Sequence, residues 1–221
     1  MCTLLWKQQL REVQPTVKRL KMKKTKNKDP FQTFCWLREV IYDPYKVVTC
    51  CFENDSIVSY RKTIKKSLFF AEKKKIFHKG DPCNLVFDFK VFNSVVKAAD
   101  SINRQNREPT SIISSTEFMD TRLYSRETRY FTPWDFFPRH VTRKEYKNPY
   151  RALKIFFQYQ SAQQWELTLH DVLDAALSSY GEETDLDLLS IYYYLLKLME
   201  ALHLIELREL TVVNNLQTKT D

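Results

Sequence analysis

Two clusters of residues have the types and spacing to do chemistry. Glu166, His170 and Asp174 stand at i, i+4 and i+8, and Glu200 and His203 form a Glu-x-x-His pair. Either spacing brings carboxylate and imidazole onto one helix face. Helical di-iron bundles hold metal with two such Glu-x-x-His pairs and further carboxylates from other helices. Only one pair is present here. An earlier, related stretch of the chain carries Lys97 and Asp100 at the matching positions, with Arg61 and Lys65 matching Glu166 and His170. No metal site follows, and both clusters read as wet helix faces.

Other routes to catalysis also lack their residues. The five cysteines, Cys2, Cys35, Cys50, Cys51 and Cys83, are odd in number and contain no Cys-x-x-Cys, so neither a zinc knuckle nor a paired framework is indicated. Adjacent Cys50 and Cys51 sit in an apolar helical phrase and read as buried free thiols. Only two glycines occur, too few for the loops that cradle phosphates or dinucleotides. No histidine follows an arginine by five to seven residues, and no Ser-His-Asp or Cys-His set has local support. The expectation is a non-enzymatic chain with no catalytic residues, cofactor or metal.

Binding chemistry is better represented. The run "VKRLKMKKTKNK" carries Lys21, Lys23, Lys24 and Lys26. Further on, "TRLYSRETRYFTPWDFFPRH" interleaves Arg126, Arg129 and Arg139 with Tyr130 and Trp134. Guanidinium groups among aromatics can stack on bases or grip an acidic peptide. Charge is unevenly placed. Residues 1–80 hold 19 Lys/Arg against 7 Asp/Glu, whereas residues 160–221 hold 3 against 11. Either the basic half faces a polyanion, or the two halves attract each other.

These residues are carried by helices. Scarce Gly, abundant Leu, Lys and Glu, and 3.6-residue periodicity predict an all-α protein. The chain also repeats itself. At an offset of 105, Arg38, Pro44, Tyr45, Phe52, Ser56, Thr63, Leu68 and Ala71 meet identical residues. Asp43-Pro44 and Asn148-Pro149 are matching helix starts, and Ser56 and Ser161 are matching caps, the second with Gln164 in a capping box. Gly80 and Gly181 are expected to terminate the second helix of each copy. A third helix follows each, with Leu85, Ala98 and Ile102 against Leu188, Ala201 and Ile205 at offset 103. Thr132-Pro133 marks a further helix start within the linker.

The organisation expected is a basic arm (1–29), a first helical unit (30–102), an Arg- and aromatic-rich linker (103–145), a second unit (146–210) and a tail (211–221). No run of about 18 uninterrupted apolar residues occurs; the most apolar stretch is broken by Lys197 and Glu200. With no signal-peptide pattern at the N-terminus, the expected location is cytoplasmic. The leading functional expectation is a helical interaction or regulatory protein with a protein partner. The alternative is weak, sequence-independent nucleic-acid binding through the basic half and linker.

Overall fold

The sequence signals for helix starts act largely as their chemistry dictates. In the computed structural model, which describes residues 29–73, 76–110, 113, 117–125, 130–178 and 186–210, Asp43 accepts from Tyr45 N at 3.0 Å and opens α1 (Pro44–Asn54). Ser56 caps α2 (Ile57–Lys73) through Ser59 N at 3.2 Å. Asp81 opens α3 (Pro82–Arg104) through Cys83 N at 2.8 Å. Within the linker, α4 (Pro133–Phe136) begins at Thr132-Pro133 as predicted, and α5 (Arg143–Lys147) begins with a Thr142–Glu145 capping box. Then come α6 (Tyr150–Tyr159), α7 (Ala162–Leu177) and α8 (Leu188–Ile205). A π-helical turn, Glu206–Leu210, continues α8. The described residues are helical and contain no strand.

Three local expectations need correction. Asn148 does not cap α6; Pro149 occupies the N-cap position, and Asn148 Nδ2 donates to Glu108 at 2.6 Å. Gly80 does not end α2, which stops at Lys73; it lacks a left-handed φ and leads instead into the Asp81 cap of α3. Gly181 lies outside the described residues, as do most of the arm and the whole tail. The third correction concerns Glu200 and His203, which are buried rather than wet.

Helix packing follows an exchange rule. α2 packs on α7 at the centre. α3 lies on α7 while α8 lies on α2; α1 lies on α3 while α6 lies on α8; α3 meets α6 while α1 meets α8. These pairings are unchanged when α1, α2 and α3 trade places with α6, α7 and α8, although α2 also packs on α3 without an equally close α7–α8 match. The second and third helices of each segment thus bury their apolar stripes largely against the other segment. In α7 that stripe is Trp165, Leu169, Val172 and Ala176, and in α2 it is Ile57, Tyr60, Ile64 and Leu68, all buried. The α8 helix with its following turn is long and apolar enough, by composition, to cross a membrane. Here its faces are occupied by α2, α6 and α1, and its lysine and glutamate are paired inside the bundle.

Candidate functional site

The buried polar groups come first, because they decide which charges remain for a partner. Glu200 on α8 has a fully buried side chain. Its Oε1 accepts from Arg61 Nε at 3.0 Å and lies 2.9 Å from His140 Nδ1. Its Oε2 accepts from the backbone N–H groups of Arg139 and His140 at 2.9 and 2.7 Å. Burial alone would raise this carboxyl. His140, Arg61 and the two N–H groups outweigh it and hold Glu200 below the usual carboxylate range. Arg61 spends its other donors on the carbonyls of Asp135 and Phe137. The constellation resembles an acid–base site in composition, but every oxygen of Glu200 is already engaged. It acts as a clamp that fastens the linker across α2 and α8.

A second buried pair, Lys197–Glu145 at 2.8 Å, fastens α5 to α8. Burial works against Glu145, yet Lys197 and the Thr142 donors keep it ionised below its ordinary range. A third, half-buried pair joins Lys97 on α3 to Glu166 on α7 at 3.0 Å. Glu166 is therefore paired, and its expected companions His170 and Asp174 form only an exposed pair at 3.3 Å. Among the described residues no group of three His, Cys, Asp or Glu could hold a metal ion. Cys51 is buried as expected, and burial pushes its thiol up to about 12, so it is inert as a nucleophile at neutral pH. Cys35 and Cys83 are exposed.

One exposed cationic surface is a face of α2. Lys62, Lys65, Lys66 and Lys79 surround an apolar trough of about 350 Å³ whose floor is Phe69 and Phe70. Phe69 is 51% exposed, although it stands between core residues Leu68 and Phe70. Its local support is Lys73, whose Nζ lies 5.3 Å from the ring. The linker borders the same face. Lys62 Nζ sits 5.4 Å over the Phe131 ring, and Lys62 and Arg139 both act on the Asp135 carboxylate. That carboxyl is held low first by hydrogen bonds from Thr132.

Of the linker, Phe131 and Asp135 border this face, which the sequence alone had not singled out. Tyr130 and Trp134 are 88% and 57% exposed, and the Arg139 side chain is also outside while its backbone serves Glu200. Lys21, Lys23, Lys24, Lys26, Arg126 and Arg129 lie outside the described residues. A signal for the missed face was present in "RKTIKKSLFFAEKKK". Phe69 falls at a wet position of the helical period, flanked by lysines, where an amphipathic helix ordinarily places a polar residue. No known protein family, curated protein or solved structure matches the chain.

Proposed function

We propose that this chain is a non-enzymatic, cytoplasmic interaction protein built from two related three-helix units. The partner we propose is a protein segment that is acidic and carries an apolar anchor, held on the lysine-rich face of α2. One observation carries the binding assignment. Arg61 and Lys97 are consumed by Glu200 and Glu166, whereas Lys62, Lys65, Lys66 and Lys79 line a trough that has the exposed Phe69 ring in its floor and no carboxylate among its lining residues. An apolar trough with a cationic rim suits a peptide that buries one side chain and offers carboxylates around it. A phosphodiester backbone has no use for the trough floor.

The duplication is supported by equivalences deeper than identity. Tyr60 on α2 donates its hydroxyl to the Cys51 carbonyl on α1 at 2.9 Å. Trp165 on α7, its counterpart at offset 105, donates Nε1 to the Phe156 carbonyl on α6 at 3.5 Å. The acceptors are also 105 apart. Both aromatic side chains are fully buried. Tyr45 and Tyr150, another matched pair, are neighbours, and burial first, then the nearby Tyr45, pushes the Tyr150 hydroxyl upward. A residue touching its own counterpart is what a local twofold axis requires. The ion pairs obey the same relation with charge exchanged. Arg61 and Glu166 are counterparts, as are Lys97 and Glu200, and each pairs across the units. The basic first unit and acidic second unit then neutralise each other inside.

The exposed Tyr130 and Trp134 of the linker favour one second reading, single-stranded nucleic acid stacked on them. Fluorescence anisotropy separates the two. A peptide of alternating Glu and Leu and an oligonucleotide of equal charge are titrated from about 50 to 200 mM salt. The expected result is peptide binding that persists at the upper salt and is lost in Phe69→Ala. Oligonucleotide binding with a steep salt slope, unaffected by Phe69→Ala and reduced by Trp134→Ala, would replace this reading with the nucleic-acid one. Absence of both at the lowest salt would eliminate both.

A further inference from the structure

A second cleft lies on the opposite kind of chemistry, polar rather than apolar, and arises where the exchange rule between the units breaks. Asn106 has a left-handed φ of 47°. That conformation, tolerated by Asn, ends α3 at Arg104 and turns the chain aside. The second unit has no such stop. After α8 the chain continues as the π-helical turn 206–210, which packs on α1. The corresponding place on α6 is left open, giving a cleft of about 440 Å³ between α6 and the end of α3.

Its lining is cationic and rich in amides. Arg151 and Lys154 stand one turn apart on α6, and Arg107 faces them from the α3 turn. Arg107 is held in place by the Tyr45 ring, 5.1 Å from its guanidinium carbon. One carboxylate, Glu108, lines the cleft and is engaged by Asn148 Nδ2. Asn148 Oδ1 is buried and has no hydrogen-bond partner among the described residues. Asn103 and Gln158 add further adaptable amides at the rim.

We infer that this cleft binds a small phosphorylated molecule that also carries hydroxyl groups, of the sugar-phosphate or nucleotide class. The volume suits such a ligand. Phosphate oxygens accept from Arg107, Arg151 and Lys154, for which charge-assisted bonds are the strong kind. Ligand hydroxyls pair with the side-chain amides of Asn103 and Gln158 at the rim. No step of chemistry is involved, because no nucleophile or general base lines the cleft in a position to act; the site holds its ligand and reports its presence by bracing α3 against α6.

The experiment is isothermal titration calorimetry of the full chain at about 150 mM salt with three probes: adenosine 5′-monophosphate, ribose 5-phosphate and inorganic pyrophosphate. At least one hydroxyl-bearing probe is expected to bind at a single site and more tightly than pyrophosphate. Arg151→Gln and Lys154→Gln should each weaken it about tenfold, the loss of one charge-assisted contact. Lys65→Gln with Lys66→Gln, on the separate α2 face, should leave it unchanged. Three results overturn the inference: no saturable heat with any probe at millimolar concentration, pyrophosphate binding tightest, or binding lost in the Lys65/Lys66 variant and kept in the cleft variants. Far-ultraviolet circular dichroism of each variant confirms that the fold is intact, and since the substitutions are at exposed positions, the readout stands.

Discussion

Glu200 shows how one residue type changes meaning with its surroundings. On a wet helix face a glutamate is dispensable; here it is the anion on which Arg61, His140 and two backbone N–H groups converge. Removing it leaves Arg61 buried without a countercharge. Glu200→Ala should therefore cost about 3–5 kcal/mol, whereas the Arg61→Met/Glu200→Leu double variant should cost less, because no uncompensated charge remains. Urea midpoints decide between these outcomes. The pH dependence follows from the same carboxylates. Glu200 and Glu145 both sit below their ordinary value of 4.5 in the folded chain. The unfolded chain binds their protons first, so their stabilisation is fully present near neutral pH and is lost as pH falls through about 4.5 and below. Urea midpoints taken from pH 7 down to about 3.5 should fall more steeply for the parent than for Glu145→Gln/Lys197→Met.

Among elements, α7 and α8 carry the deepest stripes. Leu169 and Leu195 are 0% and 3% exposed, so truncating either to alanine should cost about 2–5 kcal/mol. Lys65 and Asp174 are exposed on their helices, and their alanine variants should stay within roughly 0.5 kcal/mol of the parent. Denaturant titration of the four variants checks the assignment of faces. The matched anchors between consecutive helices form a second set. Tyr60→Phe removes one buried donor from a helix carbonyl and should lose roughly 1 kcal/mol, and Trp165→Phe, which removes a donor and also leaves a cavity, should lose about 2–3 kcal/mol. A large cost at one site and none at the other would mean that the two anchors are not equivalent.

For the whole molecule, the consequence of the charge exchange is specificity of pairing. Arg61 and Lys97 lie on α2 and α3, Glu166 and Glu200 on α7 and α8, so each pair joins the first three helices to the last three. Under the proposed duplication, two copies of the first unit arranged the same way would bring Arg61 against a lysine, and two copies of the second would bring two carboxylates together. Like charges so placed oppose self-pairing. Arg61→Glu alone should destabilise more than Arg61→Ala, and adding Glu200→Arg should restore part of the loss. Thermal or urea melts of the single and double variants are expected to show a coupling of about 1–3 kcal/mol between the sites. Additive effects would mean that the pair contributes no cross-unit specificity.

Sequence by itself determined the helices, because caps and apolar periods act over a few residues. Asp43-Pro44, Thr132-Pro133 and Ser161 with Gln164 stand where helices begin, and the wet pair His170–Asp174 was legible from spacing. Two local readings failed for a shared reason. Asn148 was drawn away from its cap by Glu108, and Gly80 stands seven residues beyond the end of α2, so a partner or a path outside the local window set the outcome. Tertiary structure alone decided which charges are spent. Glu200 is sequence-distant from Arg61 and His140, and nothing in its own helix shows that α2 and the linker will converge on it. The same convergence removes Arg61 and Lys97 from the basic surface and leaves the Phe69 trough as the lysine-ringed face. The polar cleft beside α6 lies where the turn at Asn106 ends α3, whereas α8 runs on into the 206–210 turn. Burial and pairing are properties of where helices meet, and a helical period states which face is apolar without stating what will cover it.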